Sequence, residues 1–160
     1  MTTLADDAVV IADRSSAGEI LCSPRRCRDF AYLISIGAPH EREPAGFQNV
    51  RRRLRLVFED AATPHEGGAS VDDIWQLVHF ARNIDFAQGR LLVHCQAGVS
   101  RSAAAAIIVL ATILGPGREA EAVEHVRRTH PHTRPNRRML ELADRSLGAG
   151  GRLAEDPASS

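Results

Sequence analysis

Residues 91–106, LLVHCQAGVSRSAAAA, pass from an apolar run through a short polar loop into a stretch of small residues. The apolar run predicts a buried β-strand, and the alanines predict a helix that packs closely against a sheet. Cys95 ends the strand and Arg101 begins the helix, so a short loop joins a thiol to a guanidinium. A cysteine in this place is either a small core residue or the centre of a reactive site.

The loop from Cys95 to Arg101 has the features of an anion site. Backbone N–H groups that converge at a helix N-terminus bind oxyanions and lower the pKa of a cysteine. Gly98 permits a backbone conformation that a side chain would obstruct, and Arg101 offers a planar fork for two oxygens. These features together predict nucleophilic attack on a phosphate. The residues expected to surround that phosphate are Gln96, Ala97, Gly98, Val99, Ser100 and Arg101.

The spacing of the cysteine and the arginine does not identify this site by itself. Cys22 and Arg28 have the same separation, but no strand precedes Cys22 and no glycine follows it within the segment. Pro24 also interrupts that second segment. The strand before Cys95 and the glycine after it therefore favour residues 95–101 as the reactive loop.

The composition predicts one soluble domain. Of the 160 residues, 44% are hydrophobic and 25% are charged, which is enough to bury a sizeable core. Twenty basic residues, all of them arginine, balance twenty acidic ones, so neither nucleic acid nor a membrane surface is expected as a partner. No secretory signal or bilayer-spanning segment is evident, and three cysteines imply no disulfide framework. We expect a cytoplasmic, monomeric, bacterial protein.

Strand-like runs alternate with helical patterns along the chain. Ser70 and Asp73 resemble a capping box at the start of a helix that Gly89 would end. The alternation predicts an α/β fold with a mainly parallel central sheet of four to five strands flanked by helices. It would form one domain over residues 1–147, followed by a disordered tail at 148–160. Strands are predicted at 8–12, 32–36, 53–58 and 91–94, and helices at 70–89, 102–114, 118–129 and 135–147.

The nonapeptide HCQAGVSRS, residues 94–102, resembles the signature His-Cys-x-x-Gly-x-x-Arg-Ser/Thr of the cysteine-dependent protein tyrosine phosphatase superfamily. The chain is similar in length to the dual-specificity branch rather than to the larger tyrosine-specific enzymes. The similarity extends from about residue 32 to the last helix and leaves the first thirty residues unassigned. It implies a protein tyrosine phosphatase-like fold and hydrolysis of phosphate monoesters without a metal or another cofactor.

The resemblance also implies a role for each residue of the signature. Cys95 would attack phosphorus to form a phosphocysteine, while Arg101 and the loop amides hold the equatorial oxygens. Ser102 would stabilise the thiolate as it leaves, and a simple helix cap is an equal alternative for it. His94 would support the loop and the cysteine and would not bind a metal.

Expulsion of the leaving group requires a proton donor, which the resemblance places on a loop some thirty residues before the cysteine. Asp60 fits this position because it follows the predicted strand at 53–58, and the neighbouring Glu59 is the rival acid. Asp72 and Asp73 are better explained as charges that complement the dipole of the following helix.

Other residues have open interpretations. Pro135 is predicted at the first position of the last helix. Asn136 resembles the family's late Pro-Asn element and would contact the signature loop or orient water, or it simply starts the helix. Cys22 and Cys27 are either core residues or redox partners of Cys95. Three histidines near the end of a predicted helix are not expected to bind metal: His125, His130 and His132. Four arginines around the third predicted strand are either solvated or contact an acidic substrate: Arg51, Arg52, Arg53 and Arg55.

The substrate stays open among phosphorylated proteins and small phosphate esters. The loop between Cys95 and Arg101 contains no basic residue, which makes phosphoinositides less favoured. Two alternatives belong to other classes. One is a rhodanese-like sulfurtransferase, which would not need Asp60, and the other is a catalytically silent phosphate-binding module.

Overall fold

Four parallel strands form the centre of the protein, which the computed structural model describes from residue 3 to residue 154. Their order across the sheet is β1-β4-β2-β3, and every neighbouring pair is parallel. The predicted α/β class and parallel sheet are confirmed, and each predicted strand is present. The strands are β1 (Val9–Ala12), β2 (Phe30–Gly37), β3 (Arg52–Val57) and β4 (Arg90–His94).

Helices cover both faces of the sheet because successive side chains of a strand point to opposite faces. Ile34 and its neighbours on one face pack against α3 to α6, whereas Leu33 and Leu92 on the other face pack against α1. A short 3-10 turn spans Phe47–Asn49. The helices are α1 (Arg14–Cys22), α2 (Pro24–Cys27), α3 (Val71–Ala81), α4 (Arg101–Leu114), α5 (Glu119–Thr129) and α6 (Arg137–Leu147).

Helix α4 lies at the centre of the molecule, and residues 101–111 are buried along its length. Its run of alanines, 103–106, is fully buried and lets the helix approach the sheet closely. Because α4 starts directly after the loop that follows β4, its positive N-terminal end points at that loop.

The predicted helix over 70–89 is too long. The capping box of Ser70 and Asp73 is present, but α3 ends at Ala81. The Tyr32 hydroxyl accepts a hydrogen bond from the Asp85 N–H at 2.8 Å, and this tertiary bond takes the chain out of the helical path. Gly89 caps no helix, since it lies where the chain enters β4 and a Cβ there would stand 2.8 Å from the Ala31 Cβ.

The predicted place of Pro135 at the first position of the last helix is wrong. Asn136 is the N-cap of α6, and its Oδ1 accepts the Met139 N–H at 2.9 Å. The Asn136 N–H donates to the Ser100 oxygen at 3.0 Å, and this tertiary bond holds Asn136 outside the helix. Pro135 therefore precedes the cap.

Segments near both ends of the described part of the chain take part in the fold. Asp13 caps α1 by accepting the Ser16 N–H, in the segment that the sequence left unassigned. Residues 148–154, from the predicted tail, pack against α6, and Leu153 is buried and donates its N–H to the Asp144 carboxylate. Residues 155–160 lie outside the described part, so the tail stays a prediction there. Within residues 3–154 no helix has both the length and the apolarity of a membrane span.

Candidate active site

Cys95 lies at the end of β4, buried beneath the loop that leads to α4. Its Sγ is 3.1 Å from the Ser102 Oγ. Burial alone would raise the pKa of the Cys95 thiol. The Ser102 hydroxyl and the N–H groups of Ser102, Gly98 and Val99 outweigh burial, so the pKa lies below its ordinary value. The loop therefore favours a thiolate.

Gly98 is required by both its conformation and its surroundings. Its φ of +69° lies in the left-handed region that side chains disfavour. A Cβ at this position would stand 2.6 Å from the backbone carbon of Ala12 and 2.6 Å from the nitrogen of Asp13. The junction of β1 and α1 thus supports the loop from behind, and the Arg14 N–H also donates to the Gln96 oxygen at 3.2 Å.

Arg101 is buried at the start of α4, with its guanidinium under the loop. Its Nη1 donates to the Phe58 oxygen at 2.8 Å, and its Nη2 lies 3.3 Å from the Glu41 Oε1. The Nε of Arg101 has no hydrogen-bond partner among residues 3–154. The guanidinium is therefore held through both of its terminal nitrogens, and its buried Nε is left without an acceptor by the described residues.

Asp60 lies at the mouth of the loop although forty positions separate it from Ser100. Its Oδ1 accepts hydrogen bonds from the Ser100 hydroxyl at 2.8 Å and from the Asn136 Nδ2 at 2.7 Å. Asn136 also donates to the Ala61 oxygen at 3.1 Å. The Ser100 hydroxyl bonds Asp60 and makes no side-chain cap on α4.

Glu59, the rival acid, faces its own loop. Its N–H donates to the Gly67 oxygen at 2.8 Å, and its carboxylate lies 3.5 Å from the His65 ring. Of these two neighbouring carboxylates, Asp60 is the one that accepts a hydrogen bond from the signature loop, through the Ser100 hydroxyl. Of the two candidate acids, Asp60 is therefore the one whose carboxylate contacts the signature loop.

His94 is a buried, neutral support of the loop. Burial lowers the pKa of His94 to about 4. The bond to the Cys95 oxygen raises this pKa, whereas the positive charges of Arg55, Arg14 and Arg101 lower it further. Its Nε2 lies 2.6 Å from the Ser35 Oγ and its Nδ1 lies 3.2 Å from the Cys95 oxygen. Both ring nitrogens are therefore engaged by the protein.

The structure does not bring the other cysteines to Cys95. Cys27 precedes the first residue of β2, while Cys95 follows the last residue of β4, and these parallel strands begin at the same edge of the sheet. Burial, followed by the nearby Cys22, raises the pKa of the Cys27 thiol, which lowers its thiolate fraction. The parallel pairing of β2 and β4 therefore places Cys27 and Cys95 at opposite ends of these strands.

The late histidines also lie apart from the site. The His130 Nε2 accepts the Ile11 N–H at 3.3 Å, which is a bond to the edge strand. Among residues 3–154, no three or more His, Cys, Asp or Glu side chains are grouped so that they could hold a metal ion.

Three residues of the site were not predicted from the sequence. Glu41 contacts Arg101 from the segment after β2, and Ser35 contacts His94 from within β2. Arg55 contacts Ser35 and Glu41 from β3, although the sequence grouped it with solvated arginines. A polar residue in an apolar strand, as Ser35 is in YLISI, was the one available hint.

Comparison with solved structures shows which fold this is. Human DUSP28 matches with a TM-score of 0.67 at 19% identity, over 89% of each chain. The human tyrosine phosphatase-like serine/threonine/tyrosine-interacting protein matches with a TM-score of 0.67 at 20% identity, over 88% of this chain and 91% of that one. PTPMT1 in complex with PI(5)P matches with a TM-score of 0.66 at 19% identity, over 91% and 95%. The fold is that of the dual-specificity phosphatases.

The predicted resemblance to the dual-specificity branch is confirmed at the level of the fold. No family model and no curated protein matches the sequence. One structural neighbour is named only phosphatase-like, so this phosphatase fold does not by itself imply activity. The case for catalysis rests on the side chains of the site.

Ser102→Ala is expected to raise the pKa of the Cys95 thiol, because the thiolate loses its hydroxyl donor. The acidic limb of the pH–rate profile should move to higher pH by up to about one unit. The pH dependence of alkylation by iodoacetamide would measure the same shift. Thr112→Ala removes another hydroxyl of α4, one bonded to the Ile108 oxygen, and should leave the limb in place. If the acidic limb of the pH–rate profile does not move in Ser102→Ala, Ser102 has a structural role and does not tune the Cys95 thiol.

Proposed function

We propose that the protein hydrolyses phosphate monoesters, namely phosphotyrosine and/or phosphoserine and phosphothreonine on proteins, through a phosphocysteine intermediate. One observation supports this most strongly: the nucleophile and the acid meet at one loop. Cys95 lies under the loop amides, and Asp60 is bonded to Ser100 of the same loop. A loop that only binds anions would not need a carboxylate at its mouth, since the negative charge opposes binding.

In the first step the Cys95 thiolate attacks phosphorus, an S–P bond forms and the bond to the leaving oxygen breaks. Asp60 gives its proton to that oxygen, so the substrate leaves as an alcohol or phenol. Arg101 and the loop N–H groups stabilise the equatorial oxygens of the transferring group. These donors are held in position before the substrate arrives, because the first turn of α4 and Gly98 set the path of the loop.

In the second step water attacks the phosphocysteine and gives a proton to the Asp60 carboxylate, while the S–P bond breaks and returns its electron pair to sulfur. The Ser102 hydroxyl, 3.1 Å from the Cys95 Sγ, donates to the departing thiolate. Inorganic phosphate leaves, and Asp60 again carries the proton needed for the next cycle. No cofactor takes part in this scheme.

The proposed substrate is a phosphoprotein or a small phosphate ester. PTPMT1 was solved with PI(5)P, a phosphoinositide. In this chain the exposed part of the loop is Gln96 and Ala97, and no basic residue lies between Cys95 and Arg101. A multiply charged headgroup would therefore find less complementary charge than a phosphorylated side chain. A cytoplasmic monomer that acts without nucleic acid or membrane fits this proposal.

Release of phosphate from para-nitrophenyl phosphate tests the activity. Turnover in the presence of excess chelator, with no thiocyanate formed from thiosulfate and cyanide, is expected for the phosphatase. Thiocyanate formation would identify the sulfurtransferase, and the absence of both products would leave a phosphate-binding module. Phosphopeptides carrying one phosphotyrosine or one phosphoserine, compared with a soluble phosphoinositide, then determine the substrate class.

Asn136 is expected to position Asp60 in addition to capping α6, and two substitutions separate these roles. Asn136→Ala removes the cap on Met139 and the donor to Asp60, so both stability and turnover should fall, with stability falling by about 1 kcal/mol. Asn136→Ser keeps a capping oxygen but lacks the amide donor, so stability should return while turnover stays low. Thermal unfolding and kcat measure the two effects. Recovery of both in Asn136→Ser would assign Asn136 to capping alone.

A further inference from the structure

Three polar residues form a row across the sheet directly beneath the signature loop. Ser35 of β2 is paired with Arg55 of β3 on one side and with His94 of β4 on the other. The Arg55 Nη1 donates to the Ser35 Oγ at 2.9 Å, and the Ser35 Oγ lies 2.6 Å from the His94 Nε2. A continuous chain of hydrogen bonds thus runs from β3 to the residue before the nucleophile.

The direction of each bond in this row follows from the number of protons. Arg55 can only donate, so the Ser35 oxygen accepts from it and directs its single proton to the His94 Nε2. Nε2 is then an acceptor, and in a neutral ring Nδ1 carries the hydrogen. That hydrogen is directed at the Cys95 carbonyl oxygen, 3.2 Å away, which can only accept. The reverse tautomer would leave the Ser35 proton without an acceptor and set a lone pair against the carbonyl.

This orientation matters for the nucleophile. The carbonyl of Cys95 belongs to the peptide that begins the loop, and the backbone N–H groups of Gly98 and Val99 in that loop contribute to the lowered pKa of the Cys95 thiol. A carbonyl held by His94 fixes the first peptide plane, and with it the direction in which the following amides point. The row therefore supports the first peptide of the signature loop through the His94 ring.

The guanidinium of Arg55 has two terminal nitrogens, or prongs. Nη1 is the first and contacts Ser35, and Nη2 is the second and contacts the segment that holds Arg101. Its Nη2 donates to the Glu41 backbone oxygen at 2.6 Å. The Glu41 carboxylate accepts the Ala38 N–H at 2.6 Å and lies 3.3 Å from the Arg101 Nη2. Arg55 thus holds the segment that anchors the guanidinium expected to bind phosphate.

Gly37 provides the space for this arrangement. A Cβ at Gly37 would stand 2.6 Å from the Arg55 Nη2 and 3.2 Å from its Cζ. The close atoms belong to the end of a flexible side chain, so an added methyl group would displace the Arg55 fork and leave the backbone in place. The glycine at the end of β2 is explained by the guanidinium that crosses it.

We propose that Arg55 is a positioning residue of the active site, whose two prongs orient the Ser35–His94–Cys95 row and the Glu41–Arg101 pair at the same time. A single guanidinium would then link the nucleophile to the phosphate-binding arginine. The effect of Arg55 on turnover rests on the proposed function. Its effects on the Cys95 thiol and on phosphate affinity can be measured whether or not the protein is a phosphatase.

Four variants test the two contacts of Arg55 separately. Two quantities are measured for each: the rate at which iodoacetamide alkylates Cys95 as a function of pH, and the affinity for inorganic phosphate by calorimetry. Arg55→Met and Gly37→Ala disturb both prongs, so alkylation below the thiol pKa should slow by about three- to tenfold and phosphate should bind roughly five- to tenfold more weakly. Ser35→Ala severs the row alone, so alkylation should slow while phosphate affinity changes little. Arg53→Met, from the same strand with its Nη1 on the Val50 oxygen, should change neither.

Nitrogen-15 spectra of the His94 ring add a readout that is independent of both. In the wild-type protein they should show hydrogen on Nδ1 and an unprotonated Nε2 at neutral pH. The reverse tautomer would overturn the row, and so would unchanged alkylation in Ser35→Ala. Unchanged phosphate affinity in both Arg55→Met and Gly37→Ala would overturn the second prong. Equal changes in Arg53→Met would show a general loss of structure and would also overturn the proposal. If the wild-type protein hydrolyses no phosphate ester, the proposed function is wrong. The alkylation rates, the phosphate affinities and the His94 tautomer still test the role of Arg55 in that case.

Discussion

Turnover of para-nitrophenyl phosphate by Cys95→Ser is expected to fall by about 10⁴-fold or more, as in other enzymes that lose a covalent nucleophile. The serine hydroxyl stays protonated at neutral pH, so the four donors around the Cys95 sulfur have no anion to stabilise. The loop amides and Arg101 are unchanged, and inorganic phosphate should still bind. A stopped assay gives the turnover and calorimetry gives the affinity.

Cys22→Ser is the matched control for this experiment. Cys22 has the same six-residue separation from an arginine, yet it is exposed at the end of α1 and lies outside the loop. Its turnover should equal that of the wild type. Phosphate trapped on any residue other than Cys95 during rapid quench would contradict the nucleophile assignment, as would turnover in Cys95→Ser within tenfold of normal.

Asp60→Asn should produce the second-largest loss, and the size should depend on the leaving group. For phosphotyrosine or an alkyl phosphate the loss should be about 10²–10⁴-fold, the usual contribution of a general acid. For an activated ester the loss should be smaller, because its leaving group needs little protonation. The amide oxygen introduced at position 60 can still accept hydrogen bonds from the Ser100 hydroxyl and the Asn136 Nδ2, so the loop should keep its position.

The pH–rate profile gives a second test of Asp60. The pKa of Cys95 is lowered, so the thiolate forms as pH rises through that lowered value and the acidic limb reports it. The first step needs a proton donor, and Asp60→Asn should remove the basic limb of the profile alone. Glu59→Gln is the control, since its carboxylate faces His65, and it should retain both limbs. An equal loss for all esters with both limbs intact would assign the proton to another acid.

Local chemistry made much of the protein predictable from sequence. The strand ending at His94, the loop with Gly98 and the alanine-rich helix are each encoded by contiguous residues, and each is present. The capping box of Ser70 and Asp73 is likewise a contact within one turn of helix. Periodicity, turn residues and caps act over a few positions, and for that reason a pattern in the sequence reports them.

Contacts between distant segments were decided by the tertiary structure. The end of α3 at Ala81 depends on the Tyr32 hydroxyl, and the start of α6 depends on a bond from Asn136 to Ser100. The hydrogen-bond partners Tyr32 and Ser100 come from a strand and a loop elsewhere in the chain, so a local pattern does not report them, although Asn136 is by itself a possible helix start.

The active site divides in the same way. The residues of the signature, from His94 to Ser102, and the proposed acid Asp60 after a strand are identifiable from the sequence by motif and order. The supports of the site are not: Glu41 and Arg55 become partners of it only when β2, β3 and β4 lie side by side. The sequence alone determined which groups could perform the chemistry, because reactivity belongs to residue types in a short loop. Only the parallel pairing of the strands decided which groups hold them in place, because that pairing brings together residues far apart in the chain.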